Sequence, residues 1–205
     1  MAQDFYRRNL PHILSNECPY FITTRLADSL PLVVTKKLQE ERTLELRRIP
    51  DNDPDITLLR ENAQKRYFGK FDRLLDGTST GPHWLKQADI AKIVCEELHK
   101  LEEENRCKLW CYTIMSNHIH LLLTLPKLGS LVDLMRLLKG RSSFKCNRIL
   151  SRSGKFWQHE SYDHVVRNNE SGGIIDYIMN NPVKAGLVSR AEAWPYSYMA
   201  PELPR

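Results

Sequence analysis

The chain has 205 residues and 24.0 kDa, enough to bury a conventional core in one domain without a disulfide scaffold. Hydrophobic residues at 41% and charged residues at 27% lie close to the globular average, which excludes wholesale disorder despite a mean hydropathy of −0.47. The formal net charge of +5 is modest, no apolar run is long enough to cross a bilayer, and the opening MAQDFYRRNLPH lacks an apolar signal core, so a soluble cytoplasmic protein is expected.

The segment 19–26, rich in β-branched and aromatic residues, predicts a first strand. Two helices are expected at about 32–48 and 56–75, separated by the breaker PDNDPD, and 77–82 (GTSTGP) reads as a loop. In the stretch from about 87 to 105, Ile90, Val94, Leu98 and Leu101 recur at helical spacing. Two strands follow at about 108–115 and 119–125, joined tightly around Ser116 and Asn117. A basic amphipathic helix is predicted over 131–150, an extended segment over 155–166, and a last helix over 169–181, ended by Pro182. The tail AWPYSYMAPELPR need not pack tightly. Strands alternating with helices around an antiparallel pair predict an α+β, ferredoxin-like sandwich with a central antiparallel sheet and packed helices, plus an extra helical region near the N-terminus. We expect one domain over 1–205, with an N-terminal arm at about 1–18, a helical insertion at about 32–76 and a short tail at about 189–205.

Charge is unevenly placed. Residues 127–155 hold eight basic side chains and one acid, Asp133, so this segment carries +7 and the remainder −2. Such a stripe can neutralise several phosphates, and Arg136, Lys139, Arg141, Lys145, Arg148 and Lys155 are candidate nucleic-acid contacts. Tyr6, Trp157, Trp194 and Tyr196 could stack on unpaired bases, although for Trp157 and Trp194 hydrophobic anchoring is an equal alternative. The five cysteines contain no C-x-x-C pair, which argues against a zinc ribbon and leaves buried thiols as the expectation.

His118 and His120 flank Ile119 on a predicted strand, so both imidazoles project from one face and can meet one ion, with coordination positions left for an oxygen ligand and substrate. Spacing alone favours the plainer reading, two half-exposed histidines side by side. On the last helix Tyr177 and Asn181 are one turn apart at the edge of an arc formed by Ile174, Ile175, Ile178 and Met179. There a phenol can reach both sheet and solvent, but at neutral pH it needs nearby positive charge or a base to act as a nucleophile. A core-edge tyrosine fits the same placement. Tyr162 is a rival nucleophile, and His159 and His164 are rival ligands.

Taken together, RRNLPH (7–12), YFITTRLADSLP (20–31), GPHWL (81–85), MSNHIHLLL (115–123), LKGRSSFKCNRIL (138–150), FWQHESYDHVVRN (156–168) and DYIMNNPVKAGLV (176–188) resemble the REP-associated tyrosine transposases, within the single-tyrosine HUH transposases. Ser116 departs from the proline usual there, and nothing in the resemblance covers about 35–67. The resemblance implies a metal site of His118, His120 and Asn181 holding magnesium or manganese, with Tyr177 as nucleophile. It further implies single-stranded hairpin DNA as substrate and partner, with a short flanking guide segment. Cleavage and rejoining would run through a 5′-phosphotyrosine in a nucleoid-associated protein, expected to be monomeric with a homodimer as the alternative. A non-catalytic hairpin-binding protein, or a hydrolase that uses water in place of tyrosine, is the competing reading.

Overall fold

A computed structural model of the chain describes residues 18–167 and 170–203; the expected arm with Tyr6 and RRNLPH lies outside the described residues. In chain order the elements are β1 (Tyr20–Arg25), α1 (Leu32–Arg47), α2 (Ile56–Gly77), a short 3-10 turn (Trp84–Lys86), α3 (Ala88–Glu103), β2 (Lys108–Ile114) and β3 (His118–Thr124), followed by α4 (Leu131–Ile149), β4 (Tyr162–Val165), α5 (Ser171–Lys184) and β5 (Ser197–Met199). The strands form one antiparallel sheet in the order β4-β1-β3-β2-β5. With α3 and α4 as the paired helices, β1 to β4 reproduce the expected ferredoxin-like topology.

Side-chain alternation divides the sheet into two unlike faces. Tyr20 and Ile22 of β1 and Ile119, Leu121 and Leu123 of β3 point to one face and join the main core, which α3 and α4 cover with Val94, Leu98, Leu134 and Leu138. Their neighbours Phe21 and Leu122 point to the other face, into a smaller cluster with Phe68 of α2 and Ile175 and Ile178 of α5. His118 and His120, in phase with Leu122, lie on this second face, opposite α4. The α1–α2 hairpin therefore contributes a wall of the cleft in which the histidines sit.

Two expectations are corrected. The last helix runs through Pro182 to Lys184. Proline disfavours a helical residue before it, but in the last turn the helical hydrogen bonds around it and the cap hold the geometry. The stop comes later, where Gly186 adopts φ 69° and the N–H groups of Gly186 and Leu187 close on the carbonyls of Val183 and Pro182. The tail is also packed: β5 pairs with β2, and Trp194 Nε1 donates to the Ile114 carbonyl at 3.0 Å. A strand edge left open by β2 supplies the hydrogen bonds that the tail's short run cannot make alone.

Because Ile22 is fully buried in a central strand, Ile22→Ala is expected to lower unfolding free energy by about 2–5 kcal/mol, whereas Leu44→Ala on exposed α1 should change it by less than about 0.5. Denaturant midpoints at unchanged slope check both.

Candidate active site

The cleft between the second face of the sheet, α2 and α5 gathers His118, His120, Asp72, Asp76, Tyr177, Asn181 and Lys184. The β3 alternation brings the two imidazoles together, with Nε2 to Nε2 at 3.1 Å and both residues buried. Each ring is held from behind. His118 Nδ1 donates to Asn117 Oδ1 at 2.7 Å, and Asn117 Nδ2 donates in turn to the Leu75 carbonyl of α2. His120 Nδ1 meets Thr23 Oγ1 of β1 at 2.7 Å. An amide oxygen can only accept, so His118 must carry its proton on Nδ1 and turn a bare Nε2 into the cleft. Burial, and next the neighbouring His120, push His118 down to about 3, so it stays neutral and able to offer a lone pair.

Asp72 enters from α2, where Phe68, Asp72 and Leu75 form the buried stripe. Its Oδ1 lies 3.2 Å from His120 Nε2 and 3.8 Å from His118 Nε2, and Oδ2 accepts from the Tyr177 hydroxyl. Burial alone would raise its pKa, but the imidazoles of His120 and His118 and the Tyr177 hydroxyl together hold it below the usual carboxylate range. Asp76, one turn on, lies 3.8 Å from His118 Nε2 and is raised to about 6, by burial first and then by the charge of Asp72. Tyr177 is raised above the ordinary phenol by burial and by Asp72, so it is a neutral donor.

Asn181, one turn beyond Tyr177, is fully buried with Nδ2 3.2 Å from His120 Nε2. Among the described residues, Asp72 Oδ1, both Asp76 oxygens and Asn181 Oδ1 are buried without a hydrogen-bond partner. Orphaned acceptors in such number are costly. Nitrogen and oxygen lone pairs converging from three elements fit a divalent cation, and Asp72, His118 and His120 alone place ligand atoms within 4.8 Å of one another.

The structure thus brings His118, His120, Tyr177 and Asn181 into one cleft. It places the other candidates elsewhere. Tyr162 is on the same face but stacks on Phe68 at 4.2 Å, His164 pairs with Glu170, and His159 is exposed. Helix α4 lies across the sheet from the histidines. Arg136 pairs with Asp133, Arg141 with Glu104 and Lys145 with buried Glu97. Arg148 lies over the Phe144 ring, and Lys155 is exposed. Lys139 donates to the carbonyls of Gln158 and His159, and burial pushes its ammonium down to about 8. Trp157 corrects an expectation: at 5% exposure it is a core residue whose Nε1 donates to Ser142, leaving no ring face for a base. Asp72, Asp76 and Lys184 were not foreseen. The available signal for Asp72 was an acid in the middle of an apolar helical stripe.

Comparison with known proteins gives the same direction. Residues 83–181 match the family model "Transposase IS200 like". A Haemophilus influenzae protein described as a REP-associated tyrosine transposase is 33% identical over 95 residues, 41% of this chain and 54% of the relative. The chain is related to the REP-associated tyrosine transposases. An Escherichia coli REP-associated tyrosine transposase is 26% identical over 100 residues, 48% of this chain and 58% of that protein. The chain therefore spans a little over half the length of the transposases it matches. A solved REP-associated tyrosine transposase bound to a REP hairpin superposes with a TM-score of 0.53 at 18% identity, over 96% of this chain and 82% of the other, which establishes the shared fold. His118, His120, Tyr177 and Asn181 fall within the segment matched to the transposase family, whereas Asp72, Asp76 and Lys184 fall outside it.

Asp76 yields a pH prediction. Its folded pKa is above its unfolded value, so it contributes stability fully present below about pH 4 and lost as pH rises through about 6. In chelator-treated protein Asp76→Asn should raise unfolding free energy by about 2 kcal/mol at pH 8, where the ionised carboxylate is a penalty, and by little at pH 4. An equal effect at both pH values would contradict the assignment.

Proposed function

We propose that this chain cuts and rejoins single-stranded hairpin DNA of the REP type, with Tyr177 as nucleophile and His118, His120 and Asn181, joined by Asp72, holding magnesium or manganese. The observation that carries the reading is that Asp72 touches both partners at once: one oxygen faces the imidazole nitrogens and the other accepts from the Tyr177 hydroxyl. The relatives' description as REP-associated tyrosine transposases, and the hairpin bound to the solved structure of similar fold, support the substrate class.

Asp72, His118, His120 and Asn181 would hold a divalent cation, which would supply Lewis-acid polarisation of the scissile phosphate. The chain's own residues do the rest. Asn117 and Thr23 fix the imidazoles, and the Phe21 and Phe68 rings, 6.0 and 6.2 Å from that of Tyr177, keep the phenol over the cleft. Tyr177 Oη attacks phosphorus, its proton passing to the acceptor already in place, Asp72 Oδ2. The Oη–P bond forms as the P–O3′ bond breaks, and the departing oxygen takes up a proton from water to leave as a free 3′-hydroxyl. The phosphotyrosine conserves one phosphoester bond, so the 3′-hydroxyl of another strand can displace Tyr177 without ATP. The basic side chains of α4, on the far side of the sheet, are assigned to the hairpin stem and not to the scissile phosphate.

Labelled hairpin DNA with magnesium or manganese should give a protein-linked band on a denaturing gel that Tyr177→Phe abolishes. His120→Ala should slow cleavage at least 100-fold, the several kcal/mol expected of lost charge stabilisation, while largely retaining hairpin binding. Cleavage without a covalent band points to water as nucleophile, and a native shift without cleavage to a binding protein; either result contradicts the proposal.

A further inference from the structure

Lys184 closes α5, two turns beyond Tyr177 and one turn beyond Asn181, so all three share a helix face. Its Nζ lies 3.6 Å from Asp76 Oδ2, 3.8 Å from Asp72 Oδ2 and 5.2 Å from the centre of the Tyr177 ring. Among the described residues it is the one lysine or arginine that pairs with either carboxylate. The side chain is 52% exposed, so the stem lies along the helix and the ammonium stands at the cleft mouth.

We infer that Lys184 is a catalytic residue that binds a non-bridging oxygen of the scissile phosphodiester beside Tyr177. The inference rests on the strand-cleavage reading of this site and adds the group that receives the substrate's charge. A phosphodiester arriving at Tyr177 brings a negative charge to a place flanked by the carboxylates of Asp72 and Asp76. A cation held by the histidines would face one phosphate oxygen, and Lys184, on the Asp76 side, is the protein's own cation for the other. A phosphorus within attack distance of Tyr177 Oη, about 3–3.5 Å, lies within reach of the ammonium, because Oη and Nζ both adjoin Asp72 Oδ2. The pairing that Lys184 now makes is exchangeable: separations of 3.6 and 3.8 Å at a half-exposed side chain are longer than the 2.7–2.9 Å or so of a tight charged hydrogen bond. A buried, short ion pair would fit a structural role instead.

The test uses the full chain and a hairpin oligonucleotide with single-stranded flanks. In a Tyr177→Phe background, which needs no chemistry, Lys184→Gln should reduce the salt slope of log affinity by about 0.7, the contribution of one single-strand phosphate, and Lys184→Arg should keep it. With Tyr177 intact, Lys184→Gln should slow single-turnover cleavage about 100-fold, as loss of one charge-stabilising donor does, and Lys184→Arg should recover to within about tenfold. An unchanged slope and rate in Lys184→Gln, or an Arg variant as impaired as Gln, overturns the inference. If the unaltered chain forms no adduct, the strand-cleavage reading fails, and the slope still decides for or against a phosphate contact at Lys184.

Discussion

Two imidazole nitrogens 3.1 Å apart, inside a face of the sheet that water does not reach, set the terms for everything around them. His118 offers a lone pair there because Asn117 takes its other proton, and His120 is held to the same point by Thr23. Lone pairs so placed repel unless a proton or a cation lies between them. The surroundings answer that constraint with anions and amide groups: Asp72 at 3.2 Å, Asp76 at 3.8 Å and Asn181 at 3.2 Å. Each comes from a different position on α2 or α5, so polar groups from both helices converge on the two imidazoles, a set that could hold a cation.

The same constraint shapes the nucleophile. Burial and Asp72 keep Tyr177 protonated, and two carboxylates oppose both its ionisation and the approach of a phosphate. On the proposed reading, a bound cation would offset that opposition together with Lys184, which already faces both carboxylates. Chemistry would then be confined to the assembled complex, a useful property for a phenol that would bond covalently to DNA. The main core, on the other face, supplies rigidity: α3 and α4 cover it, and the ion pairs of α4 with Glu97 and Glu104 tie the two helices together.

Much of the fold was legible from local pattern. The tight antiparallel pair around Ser116 and Asn117, the four-residue spacing of Ile90, Val94 and Leu98, and the order of elements were enough for the ferredoxin-like sheet, because together they report which segments pair and which cover them. His118, His120, Tyr177 and Asn181 could be singled out because each pair sits within one element. Asp72 could not, since its partners lie 46 to 112 positions along the chain and nothing local brings α2 to β3. Long-range neutralisation was hidden for the same reason: the basic stripe of α4 is partly paired by acids of α3. Trp157 reads equally as a base-stacking or an anchoring ring until Ser142 and the core enclose it, and the tail reads as loose until the open edge of β2 is known.

The central claim is that these nitrogens share one ion, and electron spin echo envelope modulation of the Mn(II)-loaded protein tests it most directly. Coupling to two imidazole nitrogens, falling to one in His118→Ala and with manganese affinity reduced in Asp72→Asn, is the predicted result. A signal with no imidazole coupling, or affinity indifferent to Asp72, would contradict the account.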